Sequence, residues 1–180
     1  MTEKPTVRDA LPGDAEAVLA TTLAAYAQFA ESMKAEDFDL YRRHIESTLR
    51  KVAESVEAGD GSLEQLVAVR AEDVVGTVLL YPPGSDTYKT EDSKVGNYPE
   101  VRLLAVPPAS RGLGVGSALM DECVARARRS GARQLGLHTM APMAAARHIY
   151  ERMGFRALPE LDFQPFEDLA AEAFVLDLQR

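Results

Sequence analysis

The strongest constraint on this chain is one run, Arg111-Gly112-Leu113-Gly114-Val115-Gly116, which joins an apolar stretch to an amphipathic one. Upstream, residues 100–106 (EVRLLAV) read as a strand stopped by Pro107-Pro108. Downstream, residues 115–130 read as a helix, with Val115, Ala118, Leu119, Cys123 and Ala127 on one face. Arg126, Arg128 and Arg129 suit its C-terminal dipole, and Gly131 suits the left-handed stop. Glycines entering a helix let the backbone approach a ligand closely, and the helix start offers unpaired N–H groups to an anion. A phosphate is the expected guest. No Gly-Lys-Ser/Thr closes a Walker A loop, and Ser117 stands where the dinucleotide fingerprint needs its third glycine. The plainer alternative is an ordinary strand-to-helix connection.

The neighbouring elements alternate between strand and helix. Residues 6–10 read as a short strand, and Pro12-Gly13-Asp14 as a turn whose Asp14 caps a helix over 15–30. A second helix covers 37–58, with Phe38, Tyr41, Ile45, Leu49, Val52 and Val56 in phase and Gly59 as its stop. Residues 63–70 and 74–81 form a hairpin across Ala71-Glu72-Asp73, and 82–97 reads as an exposed excursion. Another strand covers 134–139, Pro142 opens a short helix ending before Gly154, and 155–158 and 174–178 are the last strands. Hairpin-linked and helix-linked strands together predict an α/β fold with a mixed, mostly antiparallel sheet flanked by helices. A length of 180 residues fits a single domain over 1–180.

Composition narrows the function classes. A net charge of -8, with 28 acidic against 20 basic side chains, opposes nucleic-acid binding. One cysteine, Cys123, forms no internal disulfide, and no Cys/His spacing suggests zinc, so no metal is expected. No leader-like or membrane-spanning apolar run is present in the sequence, and the expectation is a cytoplasmic protein without membrane partners.

Leu104-Ala105-Val106, Pro107 and Arg111-x-x-Gly114-x-Gly116 resemble motif A of the GNAT superfamily of N-acetyltransferases. Ala146, Ile149-Tyr150-Glu151 and Met153-Gly154-Phe155 resemble its motif B, in the proper order downstream. The order of elements also agrees with the GNAT fold, although Met143 replaces an Asn common in the family seven residues before the Tyr. The resemblance implies an acetyl-CoA-dependent N-acetyltransferase. It implies that Arg111, Gly112, Leu113, Gly114, Val115 and Gly116 wrap the CoA pyrophosphate with Ser117 nearby. Leu104, Ala105 and Val106 would hold the pantetheine as an added strand, and an amide near Leu104 or Ala105 would face the oxyanion.

Direct acyl transfer to an amine needs a base and an acid. Glu100, at the start of the strand, is the candidate base, with an ion pair to Arg102 on the same face as the alternative. Tyr150 is the candidate acid for the leaving thiolate, with core packing as the alternative. His44 and His148 read as surface or structural; His138, ending a strand near motif B, is the histidine to watch. Cys123 reads as core. The acceptor is expected to be a cationic amine with apolar surface, bound by residues 26–38 and 159–168, where aromatics and acids mix. A homodimer is left open. The rival readings are a catalytically silent acyl-CoA sensor and a plain interaction domain.

Overall fold

A hairpin with two residues at its tip starts the sheet. In the computed structural model, which describes residues 4–85 and 96–179, β2 (Glu64–Arg70) and β3 (Asp73–Tyr81) pair antiparallel with Arg70 opposite Asp73. Ala71 and Glu72 hold φ of 48° and 73°, the left-handed pair that a tight hairpin turn demands. Glycine or asparagine usually marks such a turn, which is why the sequence suggested a longer loop. β1 (Thr6–Asp9) adds antiparallel to β2.

The described chain divides into two compact units, within Met1–Leu80 plus Leu103–Glu122 and within Tyr81–Arg102 plus Cys123–Arg180. The first holds β1 to β3, α1 (Ala15–Tyr26) and α2 (Ala35–Ala58). The helix expected over 15–30 ends as α at Tyr26 and continues as a 3₁₀ turn, Ala27–Glu31. Asp14 precedes α1 but makes no side-chain cap. Its carboxylate instead accepts from Arg8 (2.6 and 3.1 Å) and from the Leu11 amide (2.7 Å), pinning β1 to the turn. α2 buries Ile45, Leu49 and Val52 and ends at Gly59, whose φ of 65° supplies the left-handed stop.

The second unit is built around β8 (Leu169–Asp177). β5 (Gln134–Met140) lies antiparallel to it from Gln134 opposite Asp177 to Met140 opposite Ala171. β6 (Arg156–Ala157) and β7 (Phe163–Phe166) also pair antiparallel with β8. Parallel pairing occurs where β4 (Glu100–Ala105) meets β5, Glu100 opposite Gly136 and Val101 opposite Leu137. The mixed, mostly antiparallel α/β architecture expected from the sequence is thus observed. Two boundaries differ. The last strand, expected over 174–178, begins earlier, because residues 163–173 form β7 and the first half of β8, turning at Glu167-Asp168. Pro142 lies outside α4 (Ala144–Met153), because Met143 is the cap residue and its carbonyl accepts from Arg147 N (3.0 Å). Of the excursion expected over 82–97, residues 86–95 lie outside the described residues.

Candidate active site

β4 does not run straight into the glycine-rich turn. Leu103 has φ of 48°, rare for a branched side chain, so the strand is kinked just before Leu104, Ala105 and Val106. A 3₁₀ turn (Pro108–Ser110) follows, then Arg111 in extended conformation. Gly112 and Gly114 adopt φ of 73° and 77°, and a Cβ at either would meet nothing within 4 Å. Their requirement is therefore conformational, and the space before them is open. α3 (Val115–Arg129) starts its ladder with Ala118 N donating to Gly114 O at 2.9 Å. The amides of Val115, Gly116 and Ser117 precede that first bond and have no carbonyl four residues back to reach. Leu113 and Ser117 are half-buried and Val115 is buried. Arg111 is exposed and folds its Nε back to the Val106 carbonyl at 3.4 Å, a long and weak bond.

Gly76 fixes where this helix sits. A Cβ there would lie 2.5 Å from Val115 Cγ1 and 3.2 Å from the Ala105 carbonyl oxygen. β3 thus passes α3 and β4 at a distance only glycine allows. Leu119 and Cys123, both fully buried, continue the helix's inner face.

In the second unit, Glu100 meets His138, a partner that the sequence did not join to it. Glu100 Oε1 lies 3.1 Å from His138 Nδ1, and the two side chains are 12% and 8% exposed. His138 Nε2 lies 3.1 Å from the Leu161 carbonyl oxygen, and the Phe163 ring stands edge-on at 5.2 Å. Arg102 lies over the Tyr81 ring at 5.6 Å. Because Glu100 opposes Gly136 in parallel register, Gly136 and His138 share its face of the sheet. The Tyr98 ring fills the place of a Gly136 side chain, and Gly136 N donates to Pro99 O at 2.9 Å. Burial, and then the carboxylates of Glu100 and Glu160, push the Tyr98 phenol above its ordinary range. Burial likewise raises Tyr81, with Arg102 opposing and Glu100 adding to the rise.

Tyr150 lies on the buried face of α4, 5% exposed, its ring 5.8 Å from that of Phe155. Gly154, with φ of 88°, closes the helix and lets the chain turn so that Phe155 N reaches the Tyr150 carbonyl at 3.0 Å. Motif B is thereby a helix, a left-handed stop and a returning aromatic. His44 and His148 are exposed and Cys123 is buried, as read from the sequence. Among the described residues, no group of three or more His, Cys, Asp or Glu could hold a metal ion.

The Acetyltransferase (GNAT) family model matches residues 24–155. The chain belongs to this family. A mycothiol acetyltransferase of Geodermatophilus obscurus is 40% identical over 76 residues, covering 42% of this GNAT chain but only 22% of that relative. Among solved structures, the PaiA N-acetyltransferase of Thermoplasma acidophilum in complex with coenzyme A has a TM-score of 0.73 at 14% identity, covering 97% of this chain and 99% of that one. A GNAT family acetyltransferase of Brucella melitensis in complex with acetyl-CoA has a TM-score of 0.60 at 20% identity, with 98% and 89% covered. These likenesses establish the GNAT fold.

The structure also supplies what sequence reading missed. Leu103 carries no sequence mark of its positive φ. Tyr98 and Gly136 form one packing unit whose only trace was a glycine inside a strand. His138 was singled out, but its partner stands 38 residues away. Parallel register between the two strands was the signal that joins them.

Proposed function

We propose that this GNAT chain is an N-acetyltransferase in which residues 1–180 act as one domain, moving an acetyl group from acetyl-CoA to an amine by direct attack on the thioester. The observation that carries the reading is the open, left-handed turn at Gly112 and Gly114 leading into α3. Backbone amides over Arg111, Gly112, Leu113, Gly114, Val115, Gly116 and Ser117 bind the pyrophosphate, where the helix dipole favours negative charge. The backbone of Leu104, Ala105 and Val106 holds the pantetheine beyond the Leu103 kink. Glu100 takes a proton from the acceptor ammonium, the amine nitrogen bonds to the acetyl carbon, and the carbon–sulfur bond breaks. Tyr150 gives its phenolic proton to the departing thiolate, and the second proton leaving the acetylated nitrogen restores the phenol through solvent. The Glu100 and Glu160 carboxylates beside Tyr98 support a cationic acceptor.

The test is release of free CoA thiol across a panel of cationic, neutral and anionic amines. Turnover confined to anionic acceptors removes the cationic assignment. Acetyl-CoA binding without turnover on any amine leaves the sensor reading instead, and absence of stabilisation by acetyl-CoA removes both. Tyr150→Phe is expected to lower kcat by roughly 100-fold or more, with the dissociation constant for acetyl-CoA unchanged; equal kcat in the two proteins would take Tyr150 out of the acid role.

A further inference from the structure

The His138 ring faces two acceptors at once, the Glu100 carboxylate at Nδ1 and the Leu161 carbonyl at Nε2, both at 3.1 Å. A neutral imidazole carries one N–H and one lone pair, so it can satisfy only one acceptor. Two arrangements satisfy both. Either the ring is an imidazolium donating to an ionised Glu100, or Glu100 donates its own proton to Nδ1 while Nε2–H faces Leu161. In each, one proton lies on the line between Oε1 and Nδ1. Removing it would set a lone pair against a carboxylate oxygen where both side chains are nearly enclosed, an expensive arrangement.

We propose that His138 is the positioning residue for Glu100, holding the carboxylate in one orientation and keeping a proton on the pair throughout the reaction. This rests on the reading of Glu100 as the base. The Leu161 carbonyl decides the geometry, because it requires the proton on Nε2 and so turns Nδ1 toward the carboxylate. The proton leaving the acceptor amine goes to the carboxylate while the ring keeps the proton that lies between the two. The same ring ties the base to the segment Pro159–Leu161 and to Phe163, which lie in the stretch expected to meet the acceptor. Other groups near Glu100 are Arg102, Tyr81 and Tyr98, and Glu160 acts on Tyr98. His138 is hydrogen-bonded to the carboxylate, with Nδ1 3.1 Å from Oε1.

A merely structural tie would cost stability and leave chemistry alone, so the test separates kcat from binding and folding. His138→Gln and His138→Asn are expected to lower kcat for amine acetylation by roughly 10–100-fold, with KM for acetyl-CoA unchanged. Glu100→Gln should lose at least as much, and Glu100→Gln/His138→Gln should be no slower than Glu100→Gln alone, as for residues acting as a unit. Independent, multiplying losses overturn the proposal. A normal kcat in both His138 variants beside a slow Glu100→Gln also overturns it while sparing Glu100 as base. A normal kcat in Glu100→Gln instead overturns the base assignment on which it rests, and an inactive wild-type protein overturns the acetyltransferase reading itself. Nitrogen-15 NMR of the wild-type ring needs no variant to fold. A protonated Nε2 with a proton shared or bound at Nδ1 at neutral pH supports the pair, and a bare Nδ1 lone pair overturns it.

Discussion

The glycine-rich turn and the Glu100–His138 pair work by opposite means. The turn presents backbone: Gly112 and Gly114 have open space where side chains would be, and the helix start behind them carries the donors. The pair presents side chains in a closed setting, held by a carbonyl, an aromatic edge and the Tyr98 ring packed on Gly136. A site made of amides needs only a conformation, so a short local motif can specify it. A site made of packed side chains needs a register between strands, and no local motif records that. The candidate cofactor turn is therefore local in this chain, while the candidate base and its partner are joined at long range.

The sharpest way to break the contrast is Gly114→Val. A branched residue at φ of 77° is strained and fills the open space, so the dissociation constant for acetyl-CoA measured calorimetrically should rise by roughly 100-fold, or about 2.7 kcal/mol. An unchanged constant would mean the turn does not hold the cofactor. A smaller effect is expected from Gly136→Ala, whose methyl meets the Tyr98 ring. Overpacking should cost about 1–2 kcal/mol in urea unfolding and lower amine turnover, with cofactor affinity unchanged. Equal losses of cofactor affinity in both variants would erase the division between the regions.

The smallest effect lies outside both. Asp14 accepts from Arg8 and from the Leu11 amide, and the Arg8 contact holds its carboxyl below the usual range. The folded-state value is depressed, so the stabilisation is fully present above the unfolded value near ~3.9 and is lost as pH falls through the folded value. Because Arg8 is 37% exposed, Asp14→Asn should cost only about 0.5–1 kcal/mol at neutral pH. The variant's deficit should shrink toward zero in acid. A deficit that persists in acid would assign it to packing and not to charge.

Much of this architecture was legible because the physics was local. Val115, Leu119, Cys123 and Ala127 repeat at helical spacing, Gly59, Gly131 and Gly154 stop helices, and Tyr150 stands in a motif that its own helix builds. What escaped depended on distant or disguised partners. β7 and the start of β8 are interrupted by Pro165 and a Glu167-Asp168 turn, and it is their pairing with each other, continued by β8 along β5 from Ala171, that makes the segment strands. The Ala71-Glu72 turn has neither Gly nor Asn to announce it. Asp14 looked like a cap because its type and place fit one, yet Arg8 offered a charged partner that a helix amide could not match.

The Tyr98 ring resting on Gly136 has an optical consequence. The chain has six tyrosines and no tryptophan, so its ultraviolet emission belongs to phenols, and Tyr98 and Tyr81 both sense the charge of Glu100. The protein therefore contains a built-in, label-free chromophore beside its candidate base, and the late ionisation of Tyr98, raised by burial and then by the Glu100 carboxylate, is read by absorbance on alkaline titration.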